Sequence, residues 1–162
     1  MKNVIYLIGQ ISSNHDVTYE WRKDIRNFFK YEDHQFEIID PCNNEFNTHC
    51  KDYKNIDPHR LNLYKTKGIG LLVPKDYSYV LHSTGAIANM NHYDTDKKMI
   101  GTLFELAWYY QRPEKCVIGV FNGDPTTDEH CNHPFVREAV DIWCQDHMEA
   151  AEILKKYYKR IV

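Results

Sequence analysis

The sequence predicts an α/β domain built on a mostly parallel, five-stranded sheet. Short apolar runs alternate with segments whose apolar residues recur at helical spacing. The runs are apolar at successive positions, as in strands covered on both faces. The length, 162 residues, suits one domain that buries about two-thirds of its unfolded surface. Strands alternating with helices imply βαβ units, right-handed crossovers and a parallel sheet.

Val4–Ile8 is the first strand, ending at Gly9, and a polar loop follows from Gln10 to about Val17. Thr18 is placed to cap a helix carrying Trp21, Ile25, Phe28 and Phe29 on one side. Phe36–Ile39 reads as the second strand, stopped at Asp40-Pro41. From Cys42 to about Lys67 the chain is polar, with a short helix expected after Asp57-Pro58; a stretch this long suits a functional lid. Gly70–Val73 is a short apolar run, Asp76–Ser83 suits a helix, and Ala86–Met90 reads as the third strand. After a polar loop to Ile100, Gly101-Thr102 opens a helix with Leu103, Leu106, Ala107 and Tyr110, ended by Pro113. Cys116–Phe121 is the fourth strand and Val140–Cys144 a short fifth, with a loop from Asn122 to His133 between them. The last helix buries Ala150, Ile153, Leu154, Tyr157 and Ile161, and its basic end suits the negative pole of the helix dipole.

Composition narrows the function. Hydrophobic residues make up 43% and charged residues 27%, which excludes a disordered chain. The net charge of −3 offers no basic field for a nucleic acid polymer. No apolar run approaches the ~20 residues that span a membrane. Five cysteines, an odd number without a Cys-x-x-Cys pair, suggest reduced thiols and a cytoplasmic setting. There is no Gly-x-Gly-x-x-Gly, P-loop or His-Glu-x-x-His motif, so no cofactor is expected. His130, Cys131 and His133 cluster in one loop but lack the paired ligand spacing of structural zinc sites, and no metal is expected.

In open parallel sheets, ligands bind beyond the carboxyl ends of the strands. That rule groups Gly9, Gln10, Asp40, Asn89 and the Asn122-Gly123-Asp124 loop around one crevice, faced by the helix start at Gly101-Thr102. The sharpest local signal is Gly101-Thr102-Leu103-Phe104-Glu105. It has two readings. Thr102-x-x-Glu105 fits a capping box, in which Glu105 only satisfies a backbone N–H. Alternatively, Glu105 is a carboxylate held ionised by the helix dipole, able to attack an anomeric carbon and form a covalent glycosyl intermediate. Gly101 then lets a ligand approach the backbone, and Tyr6 can orient the carboxylate. Asn89 reaches the ligand or caps the following turn; Arg22 meets a phosphate or is a solvated helix residue; Trp21 and Trp108 suit the core.

In this order the segments resemble the nucleoside 2-deoxyribosyltransferase family over nearly the whole chain. The matching pieces are Val4–Gly9, Trp21-Arg22, Ile38–Pro41, Lys75-Asp76, Ala86–Met90, Gly101–Ala107 and His133-Pro134-Phe135. The resemblance implies a flavodoxin-like three-layer sandwich and a homo-oligomer, dimer or hexamer, with a shared active site. It implies that Glu105 attacks C1′ of a 2′-deoxyribonucleoside, that Tyr6 holds Glu105, and that a second nucleobase takes the sugar. A neighbouring subunit would complete the pocket through the loop before His133.

Two acids common in that family are replaced, by Thr84 and Met99. Asp94 and Asp96, in the loop before Gly101, are the first candidates for the missing general acid; Asp40 and Asp76 are others. Each also reads as a solvated loop acid or a cap. Substrate contacts are expected from Gly9, Gln10, Asp40, Asp76, Asn89, Gly101 and Thr102. If no acid serves, the expected activity shifts to a nucleoside or deoxynucleoside 5′-monophosphate N-glycosidase. A non-catalytic nucleotide-binding module is the third alternative.

Overall fold

The structure, a computed structural model, describes residues 2–12, 14–31, 35–43 and 69–159. Its elements run β1 (Asn3–Gly9), α1 (His15–Lys30), β2 (Phe36–Ile39), α2 (Ile69–His82), β3 (Gly85–Asn89), α3 (Ile100–Tyr110), β4 (Cys116–Val120), α4 (Pro134–Ala139), β5 (Ile142–Cys144) and α5 (His147–Lys159). All strand pairs are parallel, in the order β2-β1-β3-β4-β5. This is the flavodoxin-like order, and the fold is the expected three-layer α/β sandwich.

Strand periodicity sorts the core into two layers. Ile5, Leu7, Ile87 and Ile118 face Trp21, Ile25 and Phe29 of α1 and Ala150, Ala151 and Leu154 of α5. Tyr6, Ile8, Ala86, Ala88 and Val117 face Val80 of α2, Leu106 and Tyr109 of α3 and Val136 of α4. Tyr6 therefore points at the α2–α3 layer because it is one residue out of phase with Ile5 and Leu7. At the amino end of the sheet, Thr84 Oγ1 accepts the Val4 N–H at 2.9 Å and donates to the Val4 carbonyl at 3.1 Å. Lys115 closes the end of α2, donating to the carbonyls of Val80 and Leu81 at 2.5 and 3.0 Å.

Several expectations are corrected. Asn14, not Thr18, caps α1, its side chain accepting the Asp16 N–H; Thr18 lies a turn inside and accepts the Ser12 N–H at 2.8 Å. Gly70–Val73 belongs to the start of α2, which continues through Pro74 to His82. An apolar run of that length carries no periodicity that separates helix from strand. The six residues of α4 sit in a stretch given no element by the sequence reading, and β5 is only three residues long. Tyr157 is partly exposed, while Tyr158 takes the buried place expected of it. The expected helix after Pro58, the rest of the polar stretch from 44 to 67 and Ile161 lie outside the described residues.

Candidate active site

β1 and α3 meet at one strong contact. The Tyr6 hydroxyl donates to Glu105 Oε1 at 2.5 Å, although the residues are 99 positions apart. Tyr6 is fully buried and Glu105 is 9% exposed. Glu105 does not complete a capping box. Met99 is the N-cap of α3 and makes no side-chain cap bond, and Thr102 lies inside the helix. The carboxylate is thus free of the backbone and held by a side chain.

Burial pushes the Glu105 carboxyl up to about 8. The Tyr6 hydrogen bond, Arg22 and Lys75 oppose that rise, and the charge of Asp76 adds to it. Burial and the neighbouring Glu105 lift the Tyr6 hydroxyl far above its usual range, so it remains a donor. Asp76, on α2, is also raised by burial, against the pull of Lys75 at 3.6 Å. Tyr79 completes the group: its ring lies 5.9 Å from Tyr6, with Lys75 Nζ 5.7 Å from its centroid. One buried and one partly buried carboxyl group, a tyrosine donor and an ammonium are therefore gathered where α2 and α3 face β1. Such an arrangement can offer a nucleophile and a separate proton donor.

The other predicted site residues divide. Gly101 is exposed, and a Cβ there would meet nothing within 4 Å, so neither packing nor backbone geometry requires glycine. Thr102 is buried beside Glu105's turn. Asp94 bonds Ser12 Oγ at 2.8 Å and Lys97 at 3.0 Å, and Asp96 is exposed in the turn. These contacts tie Asp94 to Ser12 and to its own loop; the charge of Asp76 reaches Glu105.

Gln10, Asp40, Asn89 and Gly9 are engaged within the protein. Gln10 Oε1 accepts the N–H groups of Tyr93 and Asp94, each at 3.0 Å. Its Nε2 donates to the carbonyls of Asp94 and Lys97 at 3.2 and 3.0 Å. Asn89 follows the turn-capping alternative: its Oδ1 accepts the Asn91 N–H at 3.1 Å and its Nδ2 donates to Tyr93. Gly9 packs where a Cβ would lie 3.1 Å from Trp21 and 3.2 Å from the Asn89 carbonyl. Asp40 accepts the Cys42 N–H at 2.9 Å and is paired with Arg26 and Arg22.

Arg22 is neither a solvated helix residue nor turned outward to a phosphate. It is fully buried, donating to the carbonyls of Thr18 and of Gly9, the latter at 2.9 Å, with Nε 3.6 Å from Asp40. Its place one residue after Trp21 and three before Ile25 was the available signal for burial. Lys75 was not singled out as a site residue by the sequence reading. Trp21 is core, as expected, and Trp108 is half-buried against Tyr77 and Phe104.

Among the described residues, no group of three or more His, Cys, Asp or Glu is arranged to hold a metal ion. Cys42, Cys116, Cys131 and Cys144 are free and buried. No helix among the described residues is long and apolar enough to cross a membrane.

No family model matches the chain, and no curated protein matches it. Among solved structures, it is similar to a conserved protein from Enterococcus faecalis V583, with a TM-score of 0.53 and 14% identity. The match covers 97% of this chain and 99% of that one. At that identity the likeness shows the fold alone.

Proposed function

We propose that the chain is a nucleoside 2-deoxyribosyltransferase, and the observation that carries this reading is the buried Tyr6–Glu105 hydrogen bond. Tyr6 occupies Oε1, so Oε2 of the ionised Glu105, a form that burial confines to the alkaline side rather than one the helix dipole secures, attacks C1′ of the 2′-deoxyribonucleoside. The C1′–N bond breaks, the sugar becomes esterified to Glu105, and the base leaves with a proton. Asp76, on the adjoining helix, supplies that proton as the general acid. An incoming nucleobase nitrogen then attacks C1′, Glu105 departs as carboxylate, and Asp76 takes the proton back. Two displacements retain the configuration at C1′. The open space over Gly101 supports close approach of the sugar to the start of α3.

The reaction needs no cofactor. The partners are a nucleoside and a free nucleobase, and a homo-oligomer with a shared pocket belongs to the same reading. Four free, buried cysteines suit a cytoplasmic setting.

Hydrolysis is the second reading, favoured by Met99. This residue is 2% exposed in an apolar cluster at the start of α3, where the resembling family often carries an acid. Thr84 carries no such weight, because its hydroxyl pins β1 at the opposite end of the sheet.

Chromatography of the protein with 2′-deoxyinosine and adenine tests the proposal. Transfer yields 2′-deoxyadenosine, and Glu105→Ala abolishes it while keeping the fold. Free base without a new nucleoside favours hydrolysis. Full activity in Glu105→Ala overturns the nucleophile assignment.

A further inference from the structure

Lys75 takes no part in the bond changes at C1′, yet its ammonium is held in place. Its Nζ stands 3.6 Å from Asp76 Oδ1 and 5.7 Å from the centre of the Tyr79 ring, one helical turn further along α2. A cation within about 6 Å of a ring centre is attracted by the ring's charge distribution. The Tyr79 ring in turn lies 5.9 Å from that of Tyr6, whose hydroxyl holds Glu105. The Lys75 and Asp76 side chains are 25% and 19% exposed. Nζ and Oδ1 are themselves shielded from water. A ligand therefore meets them through a rotation of these partly exposed side chains, and a mismatched ligand group there is costly. An ammonium next to an acid, beside the carboxylate that takes the sugar, is placed to read the edge of the leaving base.

We propose that Lys75 determines base specificity, and that the base it selects is a 6-oxopurine. The proposal rests on the roles given above to Glu105 and Asp76. A 6-oxopurine carries two acceptors, N7 and O6, side by side on one edge, about 3 Å apart; a 6-aminopurine carries N7 and an N6 donor there. Asp76 gives its proton to N7 as the C1′–N9 bond breaks. The bonding electrons stay with the base, which leaves neutral with its new proton on N7. Asp76 is then a carboxylate beside Lys75. The departing edge offers a donor at N7 and an acceptor at O6, set against the acceptor of Asp76 and the donor of Lys75, 3.6 Å apart. A 6-aminopurine instead turns its N6 donor on an ammonium, which has donors only. A matched edge contact of this kind discriminates by about tenfold to a hundredfold. Adenine in excess remains usable as an acceptor, at a correspondingly lower rate.

2′-Deoxyinosine and 2′-deoxyadenosine differ only at purine position 6, so base release from each reads the choice. The wild-type kcat/KM is expected to favour 2′-deoxyinosine by at least about tenfold. Lys75→Met, with unchanged circular dichroism, brings the ratio close to one, mainly by loss on 2′-deoxyinosine. Lys75→Arg keeps the charge and the donors and retains the preference. Calorimetry with free hypoxanthine and free adenine on Glu105→Ala reads the same choice without turnover. Hypoxanthine is expected to bind at least about tenfold tighter, and adding Lys75→Met removes the difference. Selective binding by a protein without turnover overturns the transferase reading and keeps the role of Lys75. Turnover at equal rates on both nucleosides overturns the role of Lys75 alone. A preference for the 6-amino base, a preference that survives Lys75→Met, or binding of neither base also overturns it.

Discussion

Replacing Glu105 by Gln removes a buried acid and keeps a carbonyl oxygen for the Tyr6 hydroxyl. Burial lifts this carboxyl from 4.5 to about 8. The folded protein therefore holds the proton more tightly than the unfolded chain does. The sign follows from linkage: the associated stability is fully present below the unfolded value and is lost as pH rises through the folded one. Between pH 5 and pH 9, about three pKa units of that difference are traversed. At 1.36 kcal/mol per unit, the wild type loses about 4 kcal/mol that Glu105→Gln does not lose. Urea denaturation of both proteins at both pH values isolates this effect, because titrations elsewhere cancel in the difference. The variant's stability relative to wild type should rise by about 4 kcal/mol from pH 5 to pH 9. An equal difference at the two pH values would refute the burial argument. The same substitution should abolish turnover, as expected where an active site holds a destabilising group.

Tyr6→Phe removes the hydrogen bond that holds Glu105 down. The acid limb of kcat/KM should move to higher pH, and turnover should fall roughly tenfold to a hundredfold, the scale of a hydrogen bond to a charged group. Asp76→Asn should lower transfer by about 10²–10⁴, the usual contribution of a general acid, while Asp94→Asn stays within a few-fold of wild type. Steady-state kinetics of the two variants separates these acids. Arg22→Met strands the Gly9 carbonyl and breaks a buried ion pair, so thermal or chemical denaturation should show a loss of about 3–5 kcal/mol. Gln10→Ala removes four hydrogen bonds from the Tyr93–Lys97 loop, and amide exchange at Tyr93 and Asp94 should accelerate at least tenfold.

The sheet was legible because a strand covered on both faces has to be apolar along its whole length. Ile5 and Tyr6 look alike in that reading although they serve opposite layers, and only the pleat separates them. Helix ends were less legible: Asn14 and Thr18 are both good caps, and tertiary bonds to Ser12 draw Thr18 inside α1. The two readings of Glu105 rest on the same five residues, so no local pattern could choose between them. Met99 at the N-cap sets the capping box aside, and the partner of Glu105 is Tyr6, 99 positions away. Asp94 and Asp96 were favoured because they precede Gly101 in the chain. In space, Gln10 and Ser12 fasten the Asp94 loop to the end of β1, while Asp76 comes from α2 and its charge is felt at Glu105. The internal roles of Gln10, Asp40 and Asn89 were hidden for the same reason, since a polar residue at a strand end bonds equally well to a ligand or to a loop.

The most direct measurement is acid quenching of the wild-type protein during turnover of 2′-deoxyinosine, followed by peptide mass spectrometry. A 2-deoxyribosyl group on the peptide containing Glu105, absent after addition of excess adenine, is the predicted result. Base release without a sugar adduct, an adduct on another residue, or no turnover at all would contradict the assignment of Glu105 as the nucleophile.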